Sequence, residues 1–326
     1  MTDPQPPGPV TDPHPTPGTG PVTTAARAAD TGPAGTRPAP ADTTPAGAPG
    51  PTADSGPATA ALFRRLVDDA GLFPPTALPM AEALERHRGD LAGGEPVLTH
   101  RFLCPATRLA ELREHLTFPI RLGLILDTPD VPPLGDLTVE LVETRRAPGE
   151  TPAAVSARLA DRLAGARLFV EVPPGEVAAL PRDAAGHGLK FRCGGLTADA
   201  FPTAGDLGAA IAYCAEHGVP FKATAGLHHA VRHFDPSLGV DRHGFLNLVL
   251  AVCAAVAGHD PVPVLTLTDV GELTRLARAV PDGTAARARE LLVSYGSCST
   301  STPVEDLRVL GLIGNLTGEP TEVENA

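Results

Sequence analysis

The spacing of apolar side chains changes character at about residue 60. Beyond that point short apolar runs alternate with stretches in which apolar residues recur every three or four positions, the pattern of strands alternating with amphipathic helices. The spacing predicts helices over 61–70 and 77–91, separated by the breaker Gly71-Leu-Phe-Pro-Pro75. A strand over 97–103 and a helix over 106–116 follow, then strands over 120–126 and 137–143 with only a Pro-rich loop between them. Next come a helix over 152–163, a strand over 167–172 and a brief helical stretch at 176–179. A strand around Lys190, a helix over 204–217, a strand around Lys222 and an apolar helix over 244–257 complete the middle of the chain. Residues 262–268 fit a strand or a helix start, 290–295 read as the last strand, and 303–310 as a closing helix.

Repeated strand–helix–strand units call for parallel strands covered by helices. Seven or eight strands in roughly 230 residues suit an α/β fold of the (β/α) barrel, or TIM barrel, type, which takes about 250 residues. The missing helix between the second and third strands marks such a barrel as irregular. An open doubly wound sheet is the alternative. No G-x-G-x-x-G follows a strand, so the pattern gives a dinucleotide fold no support.

Composition separates the ends of the chain. Residues 1–60 hold 15 of the 37 prolines and no aromatic residue, with Val10 and Val22 as their large aliphatics. Such a segment cannot bury enough apolar surface to offset the entropy of ordering it, so it reads as a disordered tail ahead of one catalytic domain over 61–326. It lacks the basic start and apolar run of a signal peptide. A formal net charge of −12, no Trp and two Tyr argue against a nucleic-acid partner. The longest apolar run, 245–257, falls short of the roughly 20 residues a membrane span requires. Five widely spaced cysteines without a C-x-x-C pair fit reduced thiols in the cytoplasm.

Charge economy then points to a site. Among 26 Lys and Arg residues only Lys190 and Lys222 are lysines, and both lie on short apolar runs that end in glycine. Arginine is permanently charged and planar, whereas a lysine can lose its proton and attack a carbonyl. Side chains alternate along a strand, so Lys190 and Arg192 share one face, Lys222 and Thr224 share one face, and the same parity turns Glu171 inward on the preceding strand. Three neighbouring strands would thus aim one carboxylate and three cations at a common centre. Such a cluster suits a small anionic carbonyl substrate, held by Arg192, with a lysine whose pKa is lowered by the cations beside it.

The segment Val219-Pro-Phe-Lys222-Ala-Thr224-Ala-Gly226 resembles the strand-end lysine segment of class I, Schiff-base-forming aldolases of the deoxyribose-phosphate aldolase type. Leu189-Lys190-Phe-Arg192-Cys-Gly-Gly195 is similar to the second lysine strand of that family, although the two segments occur here in the reverse order. The match covers about 15 residues. It implies a barrel with lysine chemistry, a lyase in which Lys222 forms the imine or stabilises an enolate and Lys190 assists.

Two further groups lie on the expected rim. His228, His229, His233 and His243 fall within sixteen residues, and His229 and His233 would share a helical face as metal ligands. His228, in the turn leaving the Lys222 strand, is the acid–base candidate alongside Glu171. In the second group a strand runs through Ser297, Cys298 and Ser299 to a helix with Thr302 as cap, Pro303 at its first position and Glu305 completing a capping box. Ser297 and Ser299 are candidates for binding substrate there, and Cys298 for an acidified thiol. The leading expectation is a cytoplasmic lyase that needs no organic cofactor. A metal-dependent hydrolase or isomerase using His229, His233 and His243 with a divalent ion is one alternative, and a non-catalytic anion-binding or partner-binding protein another.

Overall fold

A computed structural model describes residues 57–181 and 186–314. Residues 1–56 of the expected tail lie outside the described residues, and the fold already begins at Pro57 rather than after residue 60. The strands are β1 (Val67–Asp69), β2 (Leu98–Pro105), β3 (Arg121–Leu126), β4 (Thr138–Arg145), β5 (Arg167–Glu171), β6 (Gly188–Arg192), β7 (Phe221–Thr224), β8 (His233–Asp235), β9 (Val240–Arg242) and β10 (Leu292–Ser297). The helices are α1 (Pro57–Phe63), α2 (Met80–Gly93), α3 (Leu109–His115), α4 (Pro152–Leu159), α5 (Ala204–His217), α6 (Phe245–Val256), α7 (Val262–Thr266), α8 (Val270–Ala279), α9 (Asp282–Leu291) and α10 (Ser301–Val309).

Eight strands close a barrel in the order β1-β10-β7-β6-β5-β4-β3-β2, and every neighbouring pair is parallel. The open doubly wound sheet is thereby excluded. β8 and β9 form a separate antiparallel hairpin after β7. Most crossovers carry α-helices, but β3 joins β4 through the Pro-rich loop that the sequence indicates. No helix among the described residues is long and apolar enough to cross a membrane. All five cysteines are free and buried.

The apolar pattern leaves the eighth barrel strand open, since 262–268 fit a strand or a helix start. Residues 262–266 are helical, and the missing strand is β1, inside the stretch read as one helix over 61–70. Leu62, Phe63, Leu66 and Val67 fall at helical spacing, yet Arg65 adopts a left-handed φ of 52° and breaks the helix. Backbone N–H groups of Leu66 and Val67 then donate to the Val97 carbonyl and bring β1 beside β2. Three residues are too few to display a period of two.

Alternation sorts the strand residues into two environments. Phe221 and Ala223 of β7, with Leu189 and Phe191 of β6, face outward into a core shared with α1, α5, α6, α8 and α9. Leu122, Leu124, Val142, Leu168 and Val170 pack outward on the opposite side with α2, α3 and α4. Inside the barrel stand Phe169 and the polar residues that face it. Room for that ring comes from Gly188, where a Cβ would sit 2.4 Å from the ring. Gly123 makes room in the same way for Leu103 and Leu141.

α1 belongs to the core, because Leu62 and Phe63 are fully buried against it. Phe63→Ala is therefore expected to cost about 3–5 kcal/mol, the usual penalty for emptying an aromatic site. Urea unfolding monitored by circular dichroism measures it. A change within the error of the fit would place α1 outside the cooperative unit.

Candidate active site

Inward-facing positions on β1, β2, β4, β5, β6, β7 and β10 include charged or hydroxylated side chains that meet one another. The Lys222 amine contacts the Asp68 carboxylate and lies 3.0 Å from Glu143 Oε1. The Lys190 amine lies 2.9 Å from Glu143 Oε2 and 3.2 Å from Glu171 Oε2. Glu143 thus sits between the two lysines. Arg192 Nε is 3.4 Å from Glu171 Oε1. On the other side of the barrel, Arg101 donates to Asp68 Oδ1 at 2.8 Å and to Glu140 Oε2 at 3.0 Å, and Arg121 reaches Glu140 Oε1 at 3.1 Å. Thr99 and Ser294 each donate to Asp68 at 2.7 Å.

These contacts form one alternating run: Arg192, Glu171, Lys190, Glu143, Lys222, Asp68, Arg101, Glu140, Arg121. It extends from the last residue of β6, at the C-terminal rim, to the first residue of β3, at the opposite end. Burial works against the Asp68 carboxylate, but Lys222 and Arg101 outweigh it and bring its pKa down to about 2. Glu143 is likewise held below the ordinary range against its burial, by Lys190 and Lys222, and Glu171 by Lys190 and Arg192. Burial opposes the Lys190 ammonium, yet Glu143 and Glu171 raise its pKa above the usual value. The groups in contact with the two amines are carboxylates. Lys190 and Lys222 are register partners on β6 and β7, and Glu143 stands between their amines.

A cavity of about 730 Å³ opens at the C-terminal ends of β4, β5 and β6. Arg145, Glu171 and Arg192 line it, together with Arg146, Glu176 and Asp199 from the following connections and Asp206 of α5. Arg146 is committed to Glu176, whereas Arg145 makes a 3.5 Å contact with Glu171 and its side chain is 76% exposed. The cavity meets the charged run at Glu171, and Lys190 is the next group inward.

Strand parity therefore brings Lys190, Lys222, Glu171 and Arg192 together. Thr224 stands one inward position above Lys222, beside Gly296. His228 is not at the lysines: its Nδ1 lies 3.5 Å from Cys298 Sγ, across from the cavity. The three histidines of the metal alternative do not converge. His229 and His233 rings are 5.4 Å apart, but His233 begins a strand rather than sharing a helix with His229. His243 is buried, with Nε2 2.9 Å from the Pro202 carbonyl and Nδ1 3.3 Å from Arg232. Among the described residues no three His, Cys, Asp or Glu side chains are grouped to hold a metal ion.

Ser297 and Ser299 close their own loop. Ser297 donates to the Ser299 carbonyl at 2.6 Å, and Ser299 Oγ accepts from the Thr302 N–H at 3.2 Å. α10 starts at Ser301, two residues before the expected Pro303, and Ser299 rather than Thr302 supplies the side-chain acceptor.

Sequence reasoning missed Asp68, Arg101, Glu140, Glu143 and Ser294. Glu143 shares its parity with Leu141 at the end of a recognised strand, so the argument applied to Glu171 reaches it too. Asp68 was hidden in the stretch read as helix. Against known proteins, the chain matches no family model and no curated sequence.

The pairing of Asp68 makes two measurable demands. Its carboxyl falls from an ordinary 3.8 to about 2 on folding, so it contributes stability at pH above about 4 that is lost as pH falls from 4 to 2. That linkage is worth about 2 kcal/mol. Asp68→Asn should remove this part of the acid dependence. It should also cost about 3–5 kcal/mol at pH 7, because Lys222 is left buried beside one carboxylate instead of two. Urea titrations at pH 7 and pH 3 test both. A variant as stable as the parent at pH 7 would contradict the assignment.

Proposed function

We propose that the chain is a cytoplasmic lyase of the aldolase type acting on a small anionic carbonyl compound, with Lys190 as the amine that engages the carbonyl. The observation that carries this reading is the pair of lysine amines bridged by Glu143, one of which opens through Glu171 toward the cavity. Access favours Lys190 over Lys222, since 7% of its side chain is exposed against 1%. Arg192 and Arg145 supply the forked donors that suit a carboxylate or phosphate, on a chain whose formal net charge is −12. Five unpaired cysteines fit a reducing compartment.

In this mechanism the resting Lys190 is an ammonium held by Glu143 and Glu171. As the carbonyl arrives, Glu143 takes one proton and the neutral amine adds to the carbonyl carbon. Glu143 returns that proton to the carbinolamine oxygen, which leaves as water, and a protonated imine remains. Glu171 accepts the proton of the substrate's β-hydroxyl while the adjacent carbon–carbon bond breaks, and the electron pair is stored as an enamine. Protonation of the enamine and hydrolysis of the imine return Lys190. Lys222 holds Glu143 in place and favours its ionised resting form, and Asp68 in turn holds Lys222. No organic cofactor takes part.

Incubation with short keto acids and aldehydes under borohydride, followed by peptide mass mapping, tests the imine. The adduct is expected on Lys190. Lys190→Arg should lose both adduct and turnover, and Glu171→Gln should slow turnover by about 100- to 10,000-fold, the range for a general acid–base group. Undiminished turnover in Lys190→Arg would refute the reading.

A further inference from the structure

The lyase reading leaves one nucleophilic group unused. Cys298 lies at the end of β10, on the same rim but outside the cavity lining. Its Sγ is 3.5 Å from His228 Nδ1, and Thr76 also hydrogen-bonds to it. The other charged groups around it act on its backbone and loop. Arg86 of α2 donates to the Cys298 carbonyl at 2.8 Å and is itself paired with Asp69, while Asp90 hydrogen-bonds to Thr300.

We propose that Cys298 and His228 form a thiolate–imidazolium pair that reacts with small hydroperoxides, making Cys298 an oxidative modification site on the catalytic rim. Burial alone would raise the Cys298 thiol, but the hydrogen bonds with His228 and Thr76 bring it down to about 7. The remaining cysteines have no such partner, and burial pushes Cys104, Cys193 and Cys253 up to about 12 and Cys214 further still. Exposure does not make the distinction, since Cys298 is 6% exposed and Cys253 5%. The imidazole does. So enclosed a sulfur admits only a small electrophile, which is the reason for naming a hydroperoxide.

In the step, the thiolate attacks the distal peroxide oxygen, the S–O bond forms and the O–O bond breaks. Sulfur is oxidised to the sulfenic acid and the peroxide is reduced. The departing alkoxide or hydroxide takes the proton that the imidazolium holds and leaves as alcohol or water. A low-molecular-weight thiol then condenses with the sulfenic acid, releasing water and forming a mixed disulfide.

The full-length protein treated with equimolar hydrogen peroxide and a sulfenic-acid trap should carry the label first on Cys298 by peptide mapping. Alkylation of Cys298 by iodoacetamide, followed from pH 5 to 9, should show a midpoint near 7. In His228→Gln, alkylation at pH 7 should slow by about tenfold or more, because the thiolate fraction falls as its pKa returns toward about 8.5. First labelling of another cysteine, or a midpoint near the free-thiol value in the parent protein, would overturn the proposal. The parent profile decides even if the variant does not fold. None of these readings needs a carbonyl substrate, so the outcome is independent of the lyase reading.

Discussion

Charge can be placed inside a barrel only if each group finds its opposite before it loses water. Moving an ion into the interior costs several kcal/mol even after relaxation, and the cost is offset only when the geometry is good and the remaining donors and acceptors are satisfied. Asp68, Glu143 and Lys222 are at most 1% exposed, so none of them can fall back on solvent. The alternating run pairs their charges in series, each interior group flanked by two of opposite sign, although Glu143 Oε1 meets the Lys222 amine at 3.0 Å without forming a hydrogen bond. Its ends lie where water reaches: Arg192 is 39% exposed at one end and Arg121 33% at the other. The run holds five cations and four carboxylates, which leaves positive charge in excess. Arg145 adds to that excess at the end that opens into the cavity.

The constraint also explains why lysine appears only at these two positions. Each amine must touch two carboxylates that approach from different strands, and a compact ammonium on a flexible stem can do so without presenting a plane. A guanidinium at Lys222 would carry a larger planar group into a space already bounded by Phe169, whose ring centroid is 6.0 Å from the amine. Arginine is used where its fork can lie along the ends of the run. Gly188 and Gly123 complete the arrangement by leaving volume for Phe169, Leu103 and Leu141, so apolar contact surrounds the ions instead of water.

Much of this was legible from alternation alone. Lys190, Arg192, Lys222 and Glu171 were assigned to one interior because each lies on a strand flanked by large apolar residues of the opposite parity. Strand parity says which side chains face inward, but not which of them meet across the barrel. Lys222 reaches Asp68, 154 positions away in sequence, and that contact exists only after closure. Helical i,i+4 spacing misled at His229 and His233, where the chain forms a loop and a hairpin instead. The apolar pattern likewise passed over α8 and α9, and β1 is too short for its alternation to be seen.

β1 also joins the lysine cluster to the Cys298 loop. Asp68 and Asp69 are consecutive and both buried, and alternation sends them to opposite faces. Asp68 turns inward and holds Lys222, Arg101 and Ser294. Asp69 turns outward, accepts from the Gly71 N–H at 2.9 Å, contacts Arg86 and lies 3.0 Å from His87 Nδ1. Arg86 in turn fixes the carbonyl of Cys298. A strand of three residues offers little ladder pairing of its own, so these side-chain ties carry much of its attachment to both neighbours. Ser294 binds Asp68 from β10 and Arg101 binds it from β2, which pins the closure of the barrel at the same carboxylate that orients Lys222. Barrel closure and the pairing of Lys222 thus share Asp68, and a substitution there cannot disturb the lysine pair without also loosening the seam.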